Sequence, residues 1–480
     1  VVVSEGNGFY PDHSYIDHGN IAYPGGYGAV FLEGLSQVLP LTSFIGLDLE
    51  RPEQELLYAW IMRSFLPFIV KGELMDMIRG RSATRKDFEP HIAGVDILLS
   101  ILRLTYLTRF SPEENLELKK VLKRQFSEEH FLDVTALAKD YHTLYLLKSL
   151  KEDPTVPLED AASFAYWYPA MVKFVAHSAR YNFSLGVSLH APNIQNYEYL
   201  NTENKKGWYT SDGMTFVYNG DLGHYSEDFQ ATIDPKRRPG TTVLQEDRPD
   251  GWGQSVLQST FSFGQVDDKQ NAVMAMDFVN ADKSLSAKKA WFYFQDKLLC
   301  LGSAIRKLRP SDAPVETIIL NRKITGQSFE LRVDGKVLDI KEGETKVLTA
   351  ADHLFLTVGP KASPPKNTFA ISLYNPTPIH VKLERRPGNW QDINDMEKDL
   401  AAENLFLTVW MEHEIDGASY AYGIYPNRTY EGFLAEIKEG ALEVRENDVL
   451  RQTAYDPKQR LLAGVNYNQS SSDTPPTFFL

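Results

Sequence analysis

The strongest constraint on this chain is a change in hydrophobic period. In its first third, Leu56, Leu57, Trp60, Ile61 and Phe65 recur at three-four spacing, as do Ile92, Val95, Leu99, Leu102 and Tyr106. Such stripes give an α-helix one buried face. Ser111-Pro112-Glu113-Glu114 places a capping serine, a first-turn proline and a box-closing glutamate in register for a helix start. Leu137, Tyr141, Leu144 and Leu147 predict a further helix, and Pro154 and Pro157 punctuate the chain after it. Beyond about residue 170 the period falls to two: Tyr181, Phe183, Leu185, Val187 and Leu189 alternate with Asn182, Ser184, Gly186 and Ser188. That alternation predicts a strand with one buried face. Asn219-Gly220 and Asp334-Gly335 read as tight hairpins, the second between Phe329-Leu331-Val333 and Val337. The chain is therefore α+β, with helices first and then antiparallel sheets numerous enough to stack.

Charge and composition narrow the function. Fifty Lys and Arg against 64 Asp and Glu leave a formal charge of −14, so the basic field of a general nucleic-acid binder is absent. No run of about 18 uncharged apolar residues predicts a membrane span. The single cysteine, Cys300, sits in the apolar run Leu298-Leu299-Cys300-Leu301, which predicts a buried thiol and permits neither an intrachain disulfide nor a cysteine metal cage. Aromatic content of 12% suits sugar-stacking surfaces and aromatic-rich sheets equally. His190, His224 and His413 lack metal-ligand spacing and read as structural. Asn182-Phe183-Ser184, Asn427-Arg428-Thr429 and Asn468-Gln469-Ser470 match the glycosylation sequon, a pattern common by chance.

Three clusters carry candidate chemistry. Tyr15-Ile16-Asp17-His18-Gly19-Asn20-Ile21-Ala22-Tyr23-Pro24-Gly25-Gly26-Tyr27 combines titratable groups with glycines that let backbone approach a ligand. The same composition also suits a structural loop. In Glu73-Leu74-Met75-Asp76-Met77-Ile78-Arg79-Gly80-Arg81-Ser82-Ala83-Thr84-Arg85, three arginines make an anion site, and Arg81 and Arg85 share a face if the segment is helical. Ion pairing with Glu73, Asp76 and Asp87 is the alternative. The stretch from Gln195 to Met214 holds Glu198, Asn201 and Trp208 among many amides and rings, a mixture suited to sugar hydroxyls or to a polar loop between strands.

These segments, with Arg238-Pro239-Gly240-Thr241-Thr242 and Lys288-Lys289-Ala290-Trp291-Phe292, resemble polysaccharide lyase family eight, which contains hyaluronate, chondroitin AC and xanthan lyases. The resemblance spans most of the chain. It implies a partial α/α toroid followed by a large multi-layer antiparallel β-sandwich domain, with boundaries at 1–165, 166–440 and 441–480, the last being the start of a small C-terminal β domain. It implies β-elimination at a uronic acid: a base takes the C5 proton, an acid protonates the glycosidic oxygen leaving C4, and an unsaturated sugar remains. The resemblance assigns base and acid to Tyr27, with His18 as helper or alternative base. A tyrosine titrates near about 10 and needs a cation nearby to act near neutrality. Arg81 or Arg85 is the candidate for that role, the other binding substrate anions, with Glu198 orienting His18 or an arginine, Asn201 touching the sugar and Trp208 stacking on it or lying in the core.

The family's carboxylate-binding asparagine and its aromatic patch lie upstream of the His/Tyr segment, whereas His18 is close to the first residue here. Asn20 is the nearest asparagine and is carried as a substrate-binding candidate. A companion chain carrying the upstream helices is one expectation, and a non-catalytic carbohydrate-binding remnant is another. Hyaluronan or chondroitin is the expected substrate, with xanthan the near alternative. The partners implied are an acidic polysaccharide, no nucleic acid and no membrane. No cofactor is required, no metal ligands are assigned, and a structural calcium is allowed without being indicated. A bacterial, secreted enzyme follows from the substrate class.

Overall fold

The computed structural model describes residues 2–107, 110–374, 378–414, 417–467 and 477–480. After a short three-stranded sheet, Gly8–Phe9, Tyr15–Asp17 and Ile21–Ala22, helices dominate up to Glu152 and antiparallel strands dominate beyond it. Two compact units result, Val1–Ala162 with Tyr225–Glu227, and Ser163–His224 with Asp228–Leu480.

In the first unit, helix Ala29–Phe44 is followed by Arg51–Trp60, Pro90–Leu107 and Pro112–Glu128. Leu57, Trp60, Ile61 and Phe65 are buried, as are Val95, Leu99 and Leu102, so both stripes face the core. The capping box at Ser111 forms: Glu114 N donates to Ser111 Oγ at 3.2 Å and Ser111 N donates to Glu114 Oε2 at 2.8 Å. The helix expected through Leu137 and Tyr141 is instead two, Val134–Leu137 and Tyr141–Glu152. Ala138 turns to ψ 111°, and Asp140 caps the second helix by accepting from Thr143 N at 2.7 Å. Tyr141, at its first position, is 91% exposed and belongs to no stripe. Among the described residues, no helix is long and apolar enough to cross a membrane.

The second unit stacks sheets whose strand pairs are all antiparallel. A four-stranded sheet runs Phe164–Tyr168, Lys173–Ser178, Phe183–Leu189, Asp212–Tyr218. A nine-stranded sheet includes Asn271–Val279, Leu285–Phe294, Lys297–Lys307 and Ala418–Pro426; a five-stranded sheet includes Val315–Lys323 and Ala401–His413. A last four-stranded sheet, Glu443–Asn447 to Thr477–Phe479, shares its core with the nine-stranded one through Ala454, Ala463 and Val465 against Phe292 and Leu299.

Stacking corrects the expectation of a half-exposed strand. All of Phe183–Leu189 is buried, because Ser184, Gly186 and Ser188 are small enough for a second layer to close over them. Cys300 is buried opposite Trp291 and Tyr422, and burial pushes its thiol up to about 12. The Asp334-Gly335 hairpin forms with φ of 45° and 84°, Val333 pairing with Lys336. Asn219-Gly220 makes no hairpin: Asp212–Tyr218 leads into a long connection, and Asn219 Oδ1 accepts from Asp221 N at 3.1 Å and from Arg322 at 3.1 Å. Long-range partners thus decide that segment. His190, His224 and His413 are all buried. Asn427 is buried with its amide donating to Tyr181 O at 2.9 Å, while Asn468-Gln469-Ser470 lies outside the described residues.

Three of the segments singled out in the sequence meet at one amine. Lys289 Nζ, fully buried, donates to Asp212 O at 2.9 Å and to Gly240 O at 2.8 Å. A Cβ on Gly213 would fall 2.3 Å from the Trp291 ring, and one on Gly240 would fall 2.4 Å from Gly213 O, so neither glycine can be replaced without movement. Burial lowers Lys289 to about 7 and Lys173, which donates to Leu189 O at 2.7 Å, also to about 7. A neutral amine still carries two N–H groups, enough for both carbonyls at Lys289.

An unfolded lysine titrates near about 10.4. Between about pH 7 and pH 10 the unfolded chain therefore binds more protons than the folded one, and stability rises with pH across that window. Lys289→Met is expected to flatten the rise of the guanidinium unfolding midpoint between these pH values, and Lys173→Met to flatten it independently. An unchanged slope in both variants would contradict this account.

Candidate active site

The first cluster is built on a hairpin and a tight turn. Strands Tyr15–Asp17 and Ile21–Ala22 pair with Asp17 opposite Ile21, leaving His18, Gly19 and Asn20 as the connection. His18 adopts φ 47°, a left-handed conformation that needs local support. Asp17 supplies it, its Oδ1 accepting from His18 N at 2.7 Å and from Asn7 Nδ2 at 2.9 Å, while Asn7 Oδ1 accepts from Gly19 N at 3.0 Å. Asn20 is half-buried in the same turn.

Tyr27 is presented by a single π-helical turn, Pro24–Gly28, that runs into helix Ala29–Phe44. Such turns push one side chain outward and recur at functional sites. Glycine makes the turn fit: a Cβ on Gly26 would lie 1.8 Å from the Tyr23 ring. Tyr23 itself is buried and meets both neighbours edge-on, with ring centroids 5.7 Å from His18 and 5.3 Å from Tyr27. His18 and Tyr27 lie 4.6 Å apart, centroid to centroid.

The second cluster divides its arginines. Arg79 is fully buried and pairs with Asp76 at 2.5 Å while also donating to Phe88 O, which is the ion-pairing alternative. Arg81 turns the other way. Its Nη1 donates to His18 Nδ1 at 3.4 Å and its Nη2 to the Tyr27 phenolic oxygen at 3.5 Å, with the guanidinium 6.0 Å from the Tyr27 ring centre. The segment Gly80–Thr84 is a 3₁₀ helix, not the α-helix that would stack positions four apart, and Arg85 follows it in extended conformation. Arg81 and Arg85 nevertheless line one cleft with Tyr27 and Tyr23. A guanidinium has only donors to offer, so His18 Nδ1 is the acceptor and the ring proton resides on Nε2.

That cleft has a volume of about 470 Å³ and continues to a wall formed by Glu33, Asp96 and Lys139. Lys139 Nζ bridges the two carboxylates at 3.2 Å and 3.4 Å, and burial raises the Asp96 carboxyl above the usual range. Pattern reading missed Tyr23, Asp17 and this triad. Tyr23 and Asp17 were visible as members of a polar-aromatic run, but nothing local links Glu33 to Asp96 and Lys139. Among the described residues, no group of three or more His, Cys, Asp or Glu gathers to hold a metal.

Glu198, Asn201 and Trp208 belong to the second unit. Glu198 is buried, and its backbone oxygen accepts from Asn204 Nδ2 at 2.8 Å. Asn201 stands exposed at a turn with φ 52°. Trp208 is 6% exposed and packs with Tyr197, Tyr209 and Val243. Its ring lies in the core of the loop, the second of the two positions expected for it.

Gly26→Ala is the sharpest test of the local geometry. Alanine normally favours a helical turn over glycine by about 1 kcal/mol. Here the added methyl must displace Tyr23, and a loss of about 1–3 kcal/mol is expected in chemical denaturation. An unchanged or raised stability would contradict the close approach of Gly26 and Tyr23.

With this geometry established, similarity to known proteins places the chain. Residues 1–124 match the model of the polysaccharide lyase family 8 N-terminal alpha-helical domain, and residues 164–437 match that of the polysaccharide lyase family 8 super-sandwich domain. Hyaluronate lyase of Staphylococcus aureus (strain NCTC 8325 / PS 47) is 32% identical over 470 residues, covering 97% of this chain and 56% of its own. Xanthan lyase of Bacillus sp. (strain GL1) is 32% identical over 483 residues, covering 98% and 50%. The solved xanthan lyase of Paenibacillus superposes with a TM-score of 0.91 at 28% identity over all of this chain and 45% of that one. The chain thus spans about half the length of the relatives it matches. Helical and sandwich models fall in order on the helical and β-sheet segments, and the chain belongs to polysaccharide lyase family 8.

Proposed function

We propose that the helical unit carries the acid–base centre of a polysaccharide lyase that cleaves a uronic-acid polymer by β-elimination. The observation that supports this most is the Arg81 guanidinium, 6% exposed, which faces both His18 Nδ1 and the Tyr27 phenolic oxygen and lines a cleft with Tyr27. Elimination needs a base for the C5 proton, an acid for the departing oxygen and a cation for the charge that gathers on the carboxylate.

Tyr27, 38% exposed at the cleft, takes the C5 proton as the phenolate. The electron pair of the C5–H bond becomes the C4–C5 double bond, the C4–O bond breaks, and the proton passes from Tyr27 to the leaving oxygen. His18 keeps its Nδ1 toward Arg81, so its Nε2–H acts as a donor to substrate and not as a second base. Arg81 holds negative charge beside the phenolic oxygen, and Arg85 binds an anionic group of the polymer within the same cleft. Asn20, in the same turn as His18, is placed on the substrate side. The cleft does hold two carboxylates, but Lys139 ties up both, unlike the acid pair of a glycoside hydrolase.

A hyaluronate lyase and a xanthan lyase are equally similar to this chain, each at 32% identity. Either polymer is a long acidic chain, consistent with an enzyme that works outside the cell.

Near-ultraviolet absorbance of the unsaturated product, followed on hyaluronan, chondroitin and xanthan in parallel, tests the reading. Tyr27→Phe is expected to lower kcat by about 100-fold or more while leaving polymer affinity near that of the parent protein. Retained turnover would remove Tyr27 from the mechanism. Arg81→Ala leaves two polar partners facing a void and is expected to weaken both kcat and affinity by about tenfold or more. An effect on affinity alone would make Arg81 a binding group only.

A further inference from the structure

The last sheet of the second unit has two unlike faces. Gln452, Ala454, Asp456, Ala463 and Val465 point inward and are buried against the nine-stranded sheet. The opposite face is not a generic solvated surface: it forms a hollow of about 580 Å³ lined by Arg445, Glu446, Arg451, Tyr455, Asn466 and Phe479, among others. Register places these on one face, since Arg451 pairs with Asn466, Tyr455 with Leu462 and Gly464 with Phe479.

The hollow combines two rings with a fixed array of donors and acceptors. A Cβ on Gly464 would lie 2.2 Å from the Phe479 ring, so the glycine lets that ring lie flat on the strand. The Arg445 guanidinium stands 5.0 Å from the Tyr455 ring centre. Arg451 donates through Nε to Asn466 Oδ1 at 2.7 Å and through Nη1 to Glu446 Oε1 at 3.0 Å, while Thr453 Oγ1 donates to Glu446 Oε2 at 3.1 Å. Arg445 pairs with Glu443 at 2.5 Å. Both arginine side chains remain about half exposed, at 53% and 51%, and ion pairs so exposed contribute at most about 1 kcal/mol. A ligand carboxylate can therefore replace them at little cost.

We propose that this face is a second, non-catalytic binding site for the acidic polysaccharide. Rings stack on pyranose faces, the preset Glu446, Asn466 and Arg451 groups pair with hydroxyls, and Arg445 meets a uronate carboxylate. The lining residues Arg445, Arg451 and Glu446 sum to one positive charge, in a chain whose total is −14, which favours an acidic over a neutral glycan. The choice of ligand rests on the lyase reading above, but the site lies in the second unit and shares no residue with the cleft. A polymer held at two sites gains affinity that a short oligosaccharide does not.

The test uses Tyr27→Phe protein, which holds polymer uncleaved, with and without Tyr455→Ala or Arg445→Ala, and measures binding of long hyaluronan and of long xanthan by calorimetry. Weakening by about fivefold or more for at least one polymer is expected in each double variant, together with unchanged kcat and KM for a tetrasaccharide when the same changes are made in the parent protein. Unchanged binding of both polymers overturns the proposal, as does equal weakening for the tetrasaccharide. Should Tyr455→Ala unfold in a thermal melt, the half-exposed Arg445→Ala decides alone. If the parent protein yields no unsaturated product from any polymer, the lyase reading fails, while loss of polymer binding in the Arg445→Ala variant still upholds the site.

Discussion

A buried guanidinium must find partners, and this requirement organises the helical unit. Desolvating an arginine is costly unless its donors are met. Arg79 meets Asp76 and a backbone carbonyl, which pins the 3₁₀ segment that follows. Pinned in this way, Arg81 reaches His18 and the Tyr27 phenolic oxygen. The hairpin holding His18 and the π-turn holding Tyr27 are separate in local structure, and the guanidinium faces both. Tyr23 fills the angle between the two rings, and Gly26 leaves room for it.

An analogous economy holds the sandwich together. Lys289 gathers the carbonyls of Asp212 and Gly240, and the glycines around it allow strands to approach more closely than any side chain would permit. The segments that carry the family resemblance therefore have two physical origins. His18 and Tyr27 converge on Arg81 beside a cleft that Tyr27 and Arg81 line, and the three bear chemistry in the proposed mechanism. Asp212-Gly213, Gly240 and Lys289 converge on a buried amine and bear the scaffold. Sequence similarity alone does not separate them, because both kinds of position tolerate little change.

What could be read before the structure follows the range of the interactions involved. The capping box at Ser111 and the Asp334-Gly335 hairpin depend on residues within four positions of one another, and both formed as read. The change of period located the helical and sheet regions, since each period is a local consequence of burying one face. Asn219-Gly220 has the same local signature as the hairpin, yet Arg322, more than 100 positions away in sequence, claims Asn219 and the turn does not close. Burial of both faces of Phe183–Leu189 and of the Trp208 ring also depends on layers remote in sequence. At the site, His18, Tyr27, Arg81 and Arg85 were legible as motifs, whereas the Glu33–Lys139–Asp96 wall exists only once two helices and the link between Val134–Leu137 and Tyr141–Glu152 are packed together.

The proposed reaction is an elimination in which water is not a reactant. The most direct measurement is the mass of the product fragment that carries the uronate at its new non-reducing end, taken from whichever polymer the protein cleaves. Elimination through Tyr27 predicts a fragment lighter by one water molecule than the saturated uronate oligosaccharide of the same length. A saturated fragment would show that water had added across the broken bond, and would contradict the roles assigned to Tyr27, His18 and Arg81 together.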